Sequence, residues 1–365
     1  MRFIFPIDGD FLNVYDGVET KGGLEIEVLV ESGEQAYING VKADFIDGKY
    51  VAKVKLKEGV NEIIAKSNAK EINAVVYYQK NTVKKYRISS DDNIIFLQDI
   101  TKNKDKYKSI FKNPYLAVYK KAHDLYGAKV HLNLFYEFDD KARSCFSDDR
   151  EYFNLSMATD KFKDEFIQNS DWLKLSFHAD KEFPDKPYEN ATAEKITADY
   201  IKVVKEIERF AGKETLSTET TTVHWGEANV DCANALRKLG IKNLAGYFDP
   251  DENGEYIVSY YLKHDQELCR HLHNRDFWRD NEKGLTFAKI DWVTNIGDID
   301  LVMDKIKSAS LNNHTGGFVS FMIHEQYFHK DYINYKPDFE DRVLLPAKYL
   351  FENGYKGALL SEIIK

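Results

Sequence analysis

The chain has 365 residues, of which 43% are hydrophobic and 14% aromatic, and its formal net charge at pH 7 is −9. This length accommodates one large domain and a small one. Acids and bases are interspersed, which excludes a basic nucleic-acid-binding stripe, and the absence of a long apolar run excludes a membrane-spanning helix.

The N-terminal segment and the cysteines indicate in which cellular compartment the protein is expected. Residues 1–10 contain Pro6 and acidic residues within the apolar stretch, so this segment is not a signal peptide. The three cysteines lack metal-ligand spacing, and their odd number argues against a disulfide framework. These features favour the cytoplasm, unless a leader peptide has been removed.

Residues 1–88 contain short runs with strand periodicity, separated by turn signals such as Asn39-Gly40 and Asp47-Gly48. The runs lie at 24–30, 35–40, 49–56, 61–67 and 72–79. Regular short strands of this kind predict a small all-β sandwich. The stretch around 37–40 resembles the immunoglobulin-like modules attached to bacterial carbohydrate enzymes. Such a domain acts either in packing or in sugar binding.

Residues 89–365 alternate between strand and helix patterns, which predicts a parallel α/β domain. Asn113-Pro114 opens the first helix and Gly127 ends it, and a long helix runs from Thr192 to Gly212. A Tyr-rich insertion near 250–286 interrupts the alternation. The predicted strands are 94–99, 128–136, 172–179, 220–225, 241–248, 287–291 and 316–325, and further helices are expected near 160–169, 229–239, 298–309 and 338–353.

Four of the apolar runs end on a residue that binds metals or transfers protons. These residues are Asp99, His178, His224 and His324. In a barrel of parallel strands wrapped by helices, catalytic groups lie at the carboxyl ends of the strands. The four side chains are therefore expected to converge. The alternative is structural: Asp99 caps a turn, and the histidines are buried and satisfied by the backbone.

Neighbouring residues extend this candidate site. Glu182 follows His178 by four residues, a spacing at which two side chains share one metal ion if a turn or helix follows. Trp225 is suited to stacking on a sugar ring. Glu227 is either an acid of the site or a first-turn residue of the next helix, and Asp291 either orients a histidine or lies at the edge of the core.

Three further histidines lie in the insertion, namely His264, His271 and His273. If this segment were a strand, His271 and His273 would lie on the same face, because one residue separates them, and they could bind one metal ion. A solvated loop is the alternative for this segment.

Read together, the motifs over residues 92–365 resemble those of the NodB-type polysaccharide deacetylases. Gln98-Asp99 matches that family's strand ending in Asp-Asp, and 178–182 matches its His-x-x-x-His motif. Residues 222–226 match Arg-Pro-Pro-Tyr-Gly, with Leu239-Gly240 downstream. Residues 322–324 match the strand ending in Leu-His, and Gly354-Tyr355 and Ser361-Glu362 match its closing segment. The resemblance implies a distorted (β/α)7 barrel, a divalent metal and removal of acetyl groups.

The resemblance also implies roles for the site residues. Asp99 and His178 would bind the metal, with Glu182 in place of the second histidine and Zn²⁺ as the expected ion. Gln98 occupies the position of the family's general base, and an amide does not accept a proton at neutral pH. His224 or Glu227 would therefore accept the proton, and His324 would protonate the leaving group.

Three hypotheses about function remain. The first is a metal-dependent carbohydrate hydrolase that removes acetyl groups from a glycan. The second is a catalytically silent barrel that binds glycans or serves as a scaffold, which Gln98, Glu182 and Thr222 favour. The third is a glycoside hydrolase that pairs Asp99 with Glu227 or Glu325. All three expect a carbohydrate or scaffold partner and no nucleic acid, and they leave the oligomeric state open.

Overall fold

The computed structural model describes residues 1–251, 253–256, 258–312 and 316–364. Its first ten strands are β1 (Arg2–Phe5), β2 (Phe11–Leu12), β3 (Val18–Thr20), β4 (Gly23–Glu31), β5 (Tyr37–Ile38), β6 (Val41–Lys42), β7 (Asp44–Ile46), β8 (Lys49–Leu56), β9 (Gly59–Lys66) and β10 (Glu71–Tyr78).

The following strands are β11 (Lys85–Asn93), β12 (Val130–Phe135), β13 (Glu137–Phe138), β14 (Phe153–Asn154), β15 (Leu173–Ala179), β16 (Thr220–Thr221), β17 (Asn243–Gly246), β18 (Phe277–Asp280), β19 (Leu285–Lys289), β20 (Trp292–Val293), β21 (Phe318–His324) and β22 (Lys356–Gly357). The helices are α1 (Ile95–Lys102), α2 (Pro114–Tyr126), α3 (Asp140–Arg143), α4 (Lys163–Gln168), α5 (Ala193–Phe210), α6 (Val230–Lys238), α7 (Gln266–Leu272), α8 (Ile299–Leu311), α9 (Phe339–Glu352) and α10 (Leu360–Ile363). None of the helices in this described part of the chain is long and apolar enough to cross a membrane.

The first ten strands form two sheets that share one hydrophobic core. One sheet has the order β1-β4-β8-β7 with β3 on β4, and the other has the order β2-β10-β9-β5-β6. Alternate residues of β4, from Leu24 to Val30, are buried in this core, and so are Ile63 and Val76 from the second sheet. The all-β prediction for this part agrees with these sheets. Its immunoglobulin-like classification stays a prediction.

The remaining strands form two main sheets with parallel strands at their centres. The first has the order β15-β12-β11-β21-β20, with β22 also on β11, and the second has the order β16-β17-β19-β18. Within these sheets β18 pairs antiparallel with β19. Parallel pairing brings the carboxyl ends of β11, β12, β15 and β21 to one edge. Closure into a seven-stranded barrel stays a prediction.

Helices cover these strands where the apolar periodicity predicted them. One face of α5 is buried, through Ile196, Val203, Ile207 and Phe210. The side chain of Asn113 accepts a hydrogen bond from the backbone N–H of Leu116 at the start of α2, and the helix ends at Gly127 in the left-handed conformation, with φ 63°. The predicted boundaries of α2 and α5 are therefore confirmed.

The strand prediction for residues 94–99 is wrong, because this segment begins helix α1. Ile95, Phe96, Leu97 and Ile100 are buried on the helix, and such a short apolar run fits a helix as well as a strand. The strand that enters the parallel sheet is β11, which lies just before it. The predicted domain boundary between residues 88 and 89 therefore falls inside β11.

The predicted insertion contacts the N-terminal sheets. Its residues 266–280 form α7 and β18, and Asp10 makes an isolated bridge to Trp278. Nη1 of Arg275 lies 2.7 Å from Oδ1 of Asp16, and both side chains are buried. The segment thus joins the two parts of the molecule and is more than a solvated loop.

Candidate metal centre

Asp92 lies at the carboxyl end of β11 and is only 6% exposed. Its backbone has a φ of 61°, in the left-handed region that non-glycine residues seldom occupy. Such conformations concentrate at functional sites, where the surrounding structure holds them in place. The turn is followed directly by helix α1, and the Asp92 carboxylate meets histidines from two other segments.

His178, near the end of β15, is the first of these histidines. Its Nδ1 lies 2.6 Å from the carbonyl oxygen of Thr222. A carbonyl only accepts hydrogen bonds, so Nδ1 carries the hydrogen and the neutral ring keeps a lone pair on Nε2. That Nε2 lies 3.1 Å from Oδ1 of Asp92. Both atoms are acceptors when the histidine is neutral.

His224 is the second histidine and lies in a short 3-10 turn, His224–Gly226, that follows β16. Its Nε2 lies 2.9 Å from the carbonyl oxygen of Glu182. The same reasoning leaves the lone pair of the neutral ring on Nδ1. This nitrogen lies 3.1 Å from Nε2 of His178 and 3.3 Å from Oδ1 of Asp92.

These three lone pairs fit a divalent cation. Asp92, His178 and His224 are buried, and their ligand atoms lie within 4.8 Å of one another. Three acceptors facing one another with no hydrogen between them repel. Ligands about 2.1 Å from one ion lie about 3.0 Å apart at a right angle and about 3.4 Å apart at a tetrahedral angle. The observed separations of 3.1, 3.1 and 3.3 Å fall in this range.

The charge of Asp92 is favoured by its surroundings. Burial by itself raises the pKa of this carboxyl group, but when no ion is bound, hydrogen bonds and positive charge from His324, His178 and His224 outweigh that effect and hold the pKa well below its ordinary value. One carboxylate with two imidazoles is a ligand set that suits Zn²⁺ and related ions.

His324 and Asp91 lie on neighbouring parallel strands beside this cluster. They are partners in the register of β11 and β21. Nδ1 of His324 lies 2.8 Å from Oδ1 of Asn295 and donates to it, which directs Nε2 toward Oδ2 of Asp92, at 3.9 Å. Oδ1 of Asp91 accepts a hydrogen bond of 2.6 Å from the side chain of Asn133.

A cavity of about 520 Å³ opens over the cluster, and Asp91, Asp92, His178, His224 and His324 all line it. We call it the main cavity. Its wall also contains Trp225, which is 53% exposed, and the rings of Tyr247, Tyr327 and Tyr332. This volume lies within the range of small-molecule sites in proteins. His178, His224 and His324, predicted to converge, thus line one space.

Glu182, the predicted third ligand, lies outside the group of three ligand atoms. Its Oε2 accepts a hydrogen bond of 3.2 Å from Nε2 of Gln326, and the same nitrogen donates to Oδ2 of Asp92 at 2.8 Å. Burial and the charge of Asp92 raise the pKa of Glu182 well above its ordinary value. Glu182 therefore supports the cluster through Gln326 and through its carbonyl oxygen, while His224 takes the third position.

Asp99, the predicted first ligand, lies on α1 and not at a strand end. Its carboxylate accepts hydrogen bonds from Tyr107 and Asn113, at 2.9 and 2.7 Å. Its role is therefore structural, but its partners are side chains and not the backbone of a turn, so the capping alternative is not what the structure shows. The aspartate that joins the cluster is Asp92, which sequence reasoning missed. The Asp91-Asp92 pair is itself the missed signal, because it ends a strand of the parallel sheet.

The other predicted acids have structural partners. Glu227 does not line the main cavity, and its carboxylate lies 3.0 Å from Nζ of Lys263. Glu325 is fully buried and accepts hydrogen bonds from the backbone N–H groups of Ile94, Ile95 and Phe96. Asp291 accepts from the backbone N–H of Ser320 at 2.8 Å, while Asn295 orients His324.

The histidines of the predicted insertion do not form a shared site. His264 is exposed. His271 lies 2.7 Å from Oδ1 of Asp10, and His273 lies 3.0 Å from Oδ1 of Asp249. His271 and His273 therefore have separate carboxylate partners.

No protein-family model matches the chain, and no curated protein matches it. Among solved structures, a peptidoglycan N-acetylglucosamine deacetylase matches with a TM-score of 0.40 at 10% identity, over 78% of this chain and 90% of that chain. A family 4 acetyl xylan esterase from Clostridium thermocellum, in complex with a cobalt ion, matches with a TM-score of 0.40 at 10% identity, over 77% and 90%.

Solved polysaccharide deacetylases are among the structures to which this chain is similar. A 4-α-glucanotransferase from Thermococcus litoralis also matches, with a TM-score of 0.47 at 11% identity, over 77% of this chain and 40% of that chain. These likenesses concern the fold. The chemistry of the cluster follows from its own distances.

Proposed function

We propose that this protein is a metal-dependent hydrolase that removes acyl groups, including acetyl, from a carbohydrate. One observation carries the proposal. A carboxylate and two imidazoles direct three lone pairs at one point in a cavity, at separations of 3.1, 3.1 and 3.3 Å. Asp92, His178 and His224 would hold the ion, which supplies Lewis acidity when it is bound.

Two residues at the cavity wall have the chemistry for proton transfer. Asp91 is a buried carboxylate that accepts the proton of the attacking water. Asp91 is the first residue of the Asp91-Asp92 pair, the position that the sequence analysis assigned to Gln98, so Asp91 would be the base that the deacetylase resemblance implies. His324 donates a proton from Nε2 to the leaving oxygen or nitrogen, while its Nδ1–H stays on Asn295.

The reaction balances with water as the only co-reactant. The water oxygen adds to the acyl carbon, and the bond from that carbon to the sugar oxygen or nitrogen breaks. The proton accepted by Asp91 and the proton donated by His324 leave the products as a carboxylic acid and a sugar alcohol or amine.

The wall of the main cavity supports a carbohydrate substrate. Trp225 is more than half exposed, and Tyr247 and Tyr327 offer further rings. Aromatic faces with polar tips suit the alternating apolar and hydroxyl surfaces of a sugar ring. A few polar groups together with aromatic rings in one cavity match a site that orients a sugar beside the cluster.

We also propose that the parallel strands form one distorted seven-stranded barrel. Two contacts between the two sheets support this arrangement. Leu175 of β15 bridges to Leu216, which precedes β16, and the N–H of Asp291, just after β19, donates to the carbonyl of Ser320 of β21 at 2.7 Å. In this proposal the N-terminal sheets form a separate immunoglobulin-like domain.

Two measurements test the function. Protein purified without added metal is analysed for bound ions, and it is then incubated with N-acetylated and O-acetylated oligosaccharides while acetate is measured. We expect about one ion per chain and acetate release that stops with a chelator. Glycan binding without an ion and without acetate would contradict the proposal and favour the silent glycan-binding barrel.

A further inference from the structure

A second, smaller space adjoins the main cavity. It has a volume of about 80 Å³, and we call it the apolar pocket. Much of its wall is hydrocarbon or aromatic, from Ile94, Ile95, Phe138, Ala142, Phe146 and Phe183, and Glu137 also lines it. The hydrocarbon part of this wall favours an apolar group.

The two spaces meet at the candidate metal centre. Asp92, Glu182, Gln326 and Tyr332 line both of them. Oε1 of Gln326 is buried and has no hydrogen-bond partner in the described part of the chain. The shared boundary therefore holds an unsatisfied acceptor, which an N–H or O–H group of a ligand would satisfy.

The carbonyl carbon of an ester or amide carries two substituents that point in different directions. One is the sugar oxygen or nitrogen, and the other is the acyl chain. With the carbonyl at the cluster of Asp92, His178 and His224, the polar sugar fits the main cavity with its exposed Trp225. With the sugar in the main cavity, the acyl chain has the smaller apolar pocket left to it, and Asp92 lines both spaces.

We propose that the apolar pocket binds the acyl chain of the substrate, and that this chain is longer than acetyl. This inference rests on the proposed function. An apolar cavity of about 150 Å³ holds a benzene ring, so a pocket of about 80 Å³ accommodates roughly three to four carbon atoms. The substrate class is therefore a carbohydrate that carries propionyl or butyryl groups, or acyl groups of similar size.

The test compares oligosaccharides acylated on nitrogen or oxygen with acetyl, propionyl, butyryl or hexanoyl groups. Burying each added methylene raises kcat/KM by about fourfold. We expect the increase to continue up to butyryl and to end at hexanoyl, where the pocket is full. A kcat/KM that is highest for acetyl and falls with each added carbon would overturn the proposal.

Two substitutions change the size of the pocket. Ala142→Phe fills it from α3, and we expect the butyryl-to-acetyl ratio of kcat/KM to fall to about one. Phe146→Ala enlarges it, and we expect the optimum to shift to hexanoyl. Ser144→Phe is the matched control, because it adds the same ring at an exposed position of the same segment. Its ratio should equal that of the unchanged protein.

A binding measurement separates failure of this inference from failure of the proposed function. Sodium acetate, butyrate and hexanoate are titrated calorimetrically into the unchanged protein and into Ala142→Phe and the milder Ala142→Leu variant. We expect butyrate, with two more methylenes, to bind about sixteenfold more tightly than acetate, with this difference lost in the variants. Equal binding of acetate and butyrate by the unchanged protein would contradict the pocket, whatever the enzyme assay shows.

If no acylated sugar is hydrolysed while butyrate still binds more tightly, the proposed function is wrong and the pocket stands. If acetate is released but the chain length has no effect on rate or binding, the hydrolase stands and the pocket assignment is wrong.

Discussion

His178 and His224 each have one ring nitrogen committed to a backbone carbonyl. The carbonyls belong to Thr222 and Glu182, so the fold itself fixes which nitrogen is free for a ligand. Partners of this kind orient metal-binding histidines and raise their affinity. The backbone therefore holds both imidazole rings in the orientation that the proposed ion requires.

The first prediction distinguishes Asp92 from Asp99. Asp92→Asn removes the one negative charge among the three ligand atoms, so the ion content should fall from about one per chain to below about one tenth. Asp99→Asn should keep the full content, because that side chain bonds Tyr107 and Asn113 outside the cluster. Elemental analysis of both purified variants measures the difference, and equal ion loss in the two variants would contradict the site.

The second prediction concerns the pH dependence of stability at Asp291. Burial raises the pKa of this carboxyl group from 3.8 to about 7. Between these two values the folded state therefore keeps a proton that the unfolded state releases. The free energy of unfolding is highest below about pH 3.8, decreases as the pH rises to about 7, and stays at the lower value above it.

Asp291→Asn should remove this decrease, since an amide oxygen can still accept from the backbone N–H of Ser320. At pH 8 the variant should exceed the unchanged protein in free energy of unfolding by up to about 4 kcal/mol, from a shift of this size. Urea unfolding of both proteins at pH 5 and pH 8 measures this difference in free energy of unfolding. A difference between the two proteins that does not change with pH would contradict the assigned pKa.

At the scale of elements, the start of α1 depends on an acid from another strand end. The Glu325 carboxylate accepts from three successive backbone N–H groups, at 2.6, 2.9 and 2.5 Å. This places a negative charge at the positive end of the helix. Because α1 follows Asp92 directly, the cap also fixes the chain that carries a candidate ligand.

The third prediction is that Glu325→Gln destabilises this helix start. An amide keeps one acceptor oxygen, and its NH2 group then faces backbone donors. The free energy of unfolding should fall by about 2 kcal/mol. Affinity for the ion, measured by titration, should fall as well because Asp92 is less firmly held. Glu362→Gln is the control, since its carboxylate caps the short helix α10 far along the chain.

The sequence predicted most elements of the parallel region, and it failed at β11 for a physical reason. Arg87, Ser89 and Asp91 make this strand unusually polar, although all three are buried. β11 therefore lacks the apolar run that predicts a buried strand, whereas the first residues of α1 have such a run. Placing the strand at 94–99 shifted the Asp-Asp motif from 91–92 to 98–99.

His178 and His324 lie near the ends of β15 and β21, and these two strands were recognisable because most of their residues are apolar. The role of His224 was not predictable from spacing. It depends on the turn after β16 and on the backbone of Glu182, which lies 42 residues away in the chain.

At the scale of the whole molecule, the two parts are joined by buried polar contacts. The ion pair of Arg275 and Asp16 is almost fully enclosed, and the Arg275 guanidinium also lies 5.1 Å from the ring centre of Phe5. Removing one partner of such a pair takes a counter-charge away from the other, which is costly at a buried position. The N-terminal sheets and the parallel sheets are therefore expected to unfold together.

The fourth prediction is that Arg275→Met lowers the free energy of unfolding by about 3–5 kcal/mol. We expect a single unfolding transition in the unchanged protein and two in the variant. Circular dichroism and tyrosine fluorescence measure these transitions. Lys53→Met removes the exposed ion pair with Glu25 and should change stability by less than about 0.5 kcal/mol. Two transitions already present in the unchanged protein would contradict the coupling.

The spacing of Asp92, His178 and His224 along the chain has one more consequence. Asp92 and His178 are 86 residues apart, and His178 and His224 are 46 apart. No nascent helix or hairpin brings these groups together, so a growing polypeptide offers no local chelate to a passing ion. If the cluster binds an ion as proposed, binding must follow the folding of both main sheets, and the fraction of chains with an ion then measures the fraction that has folded.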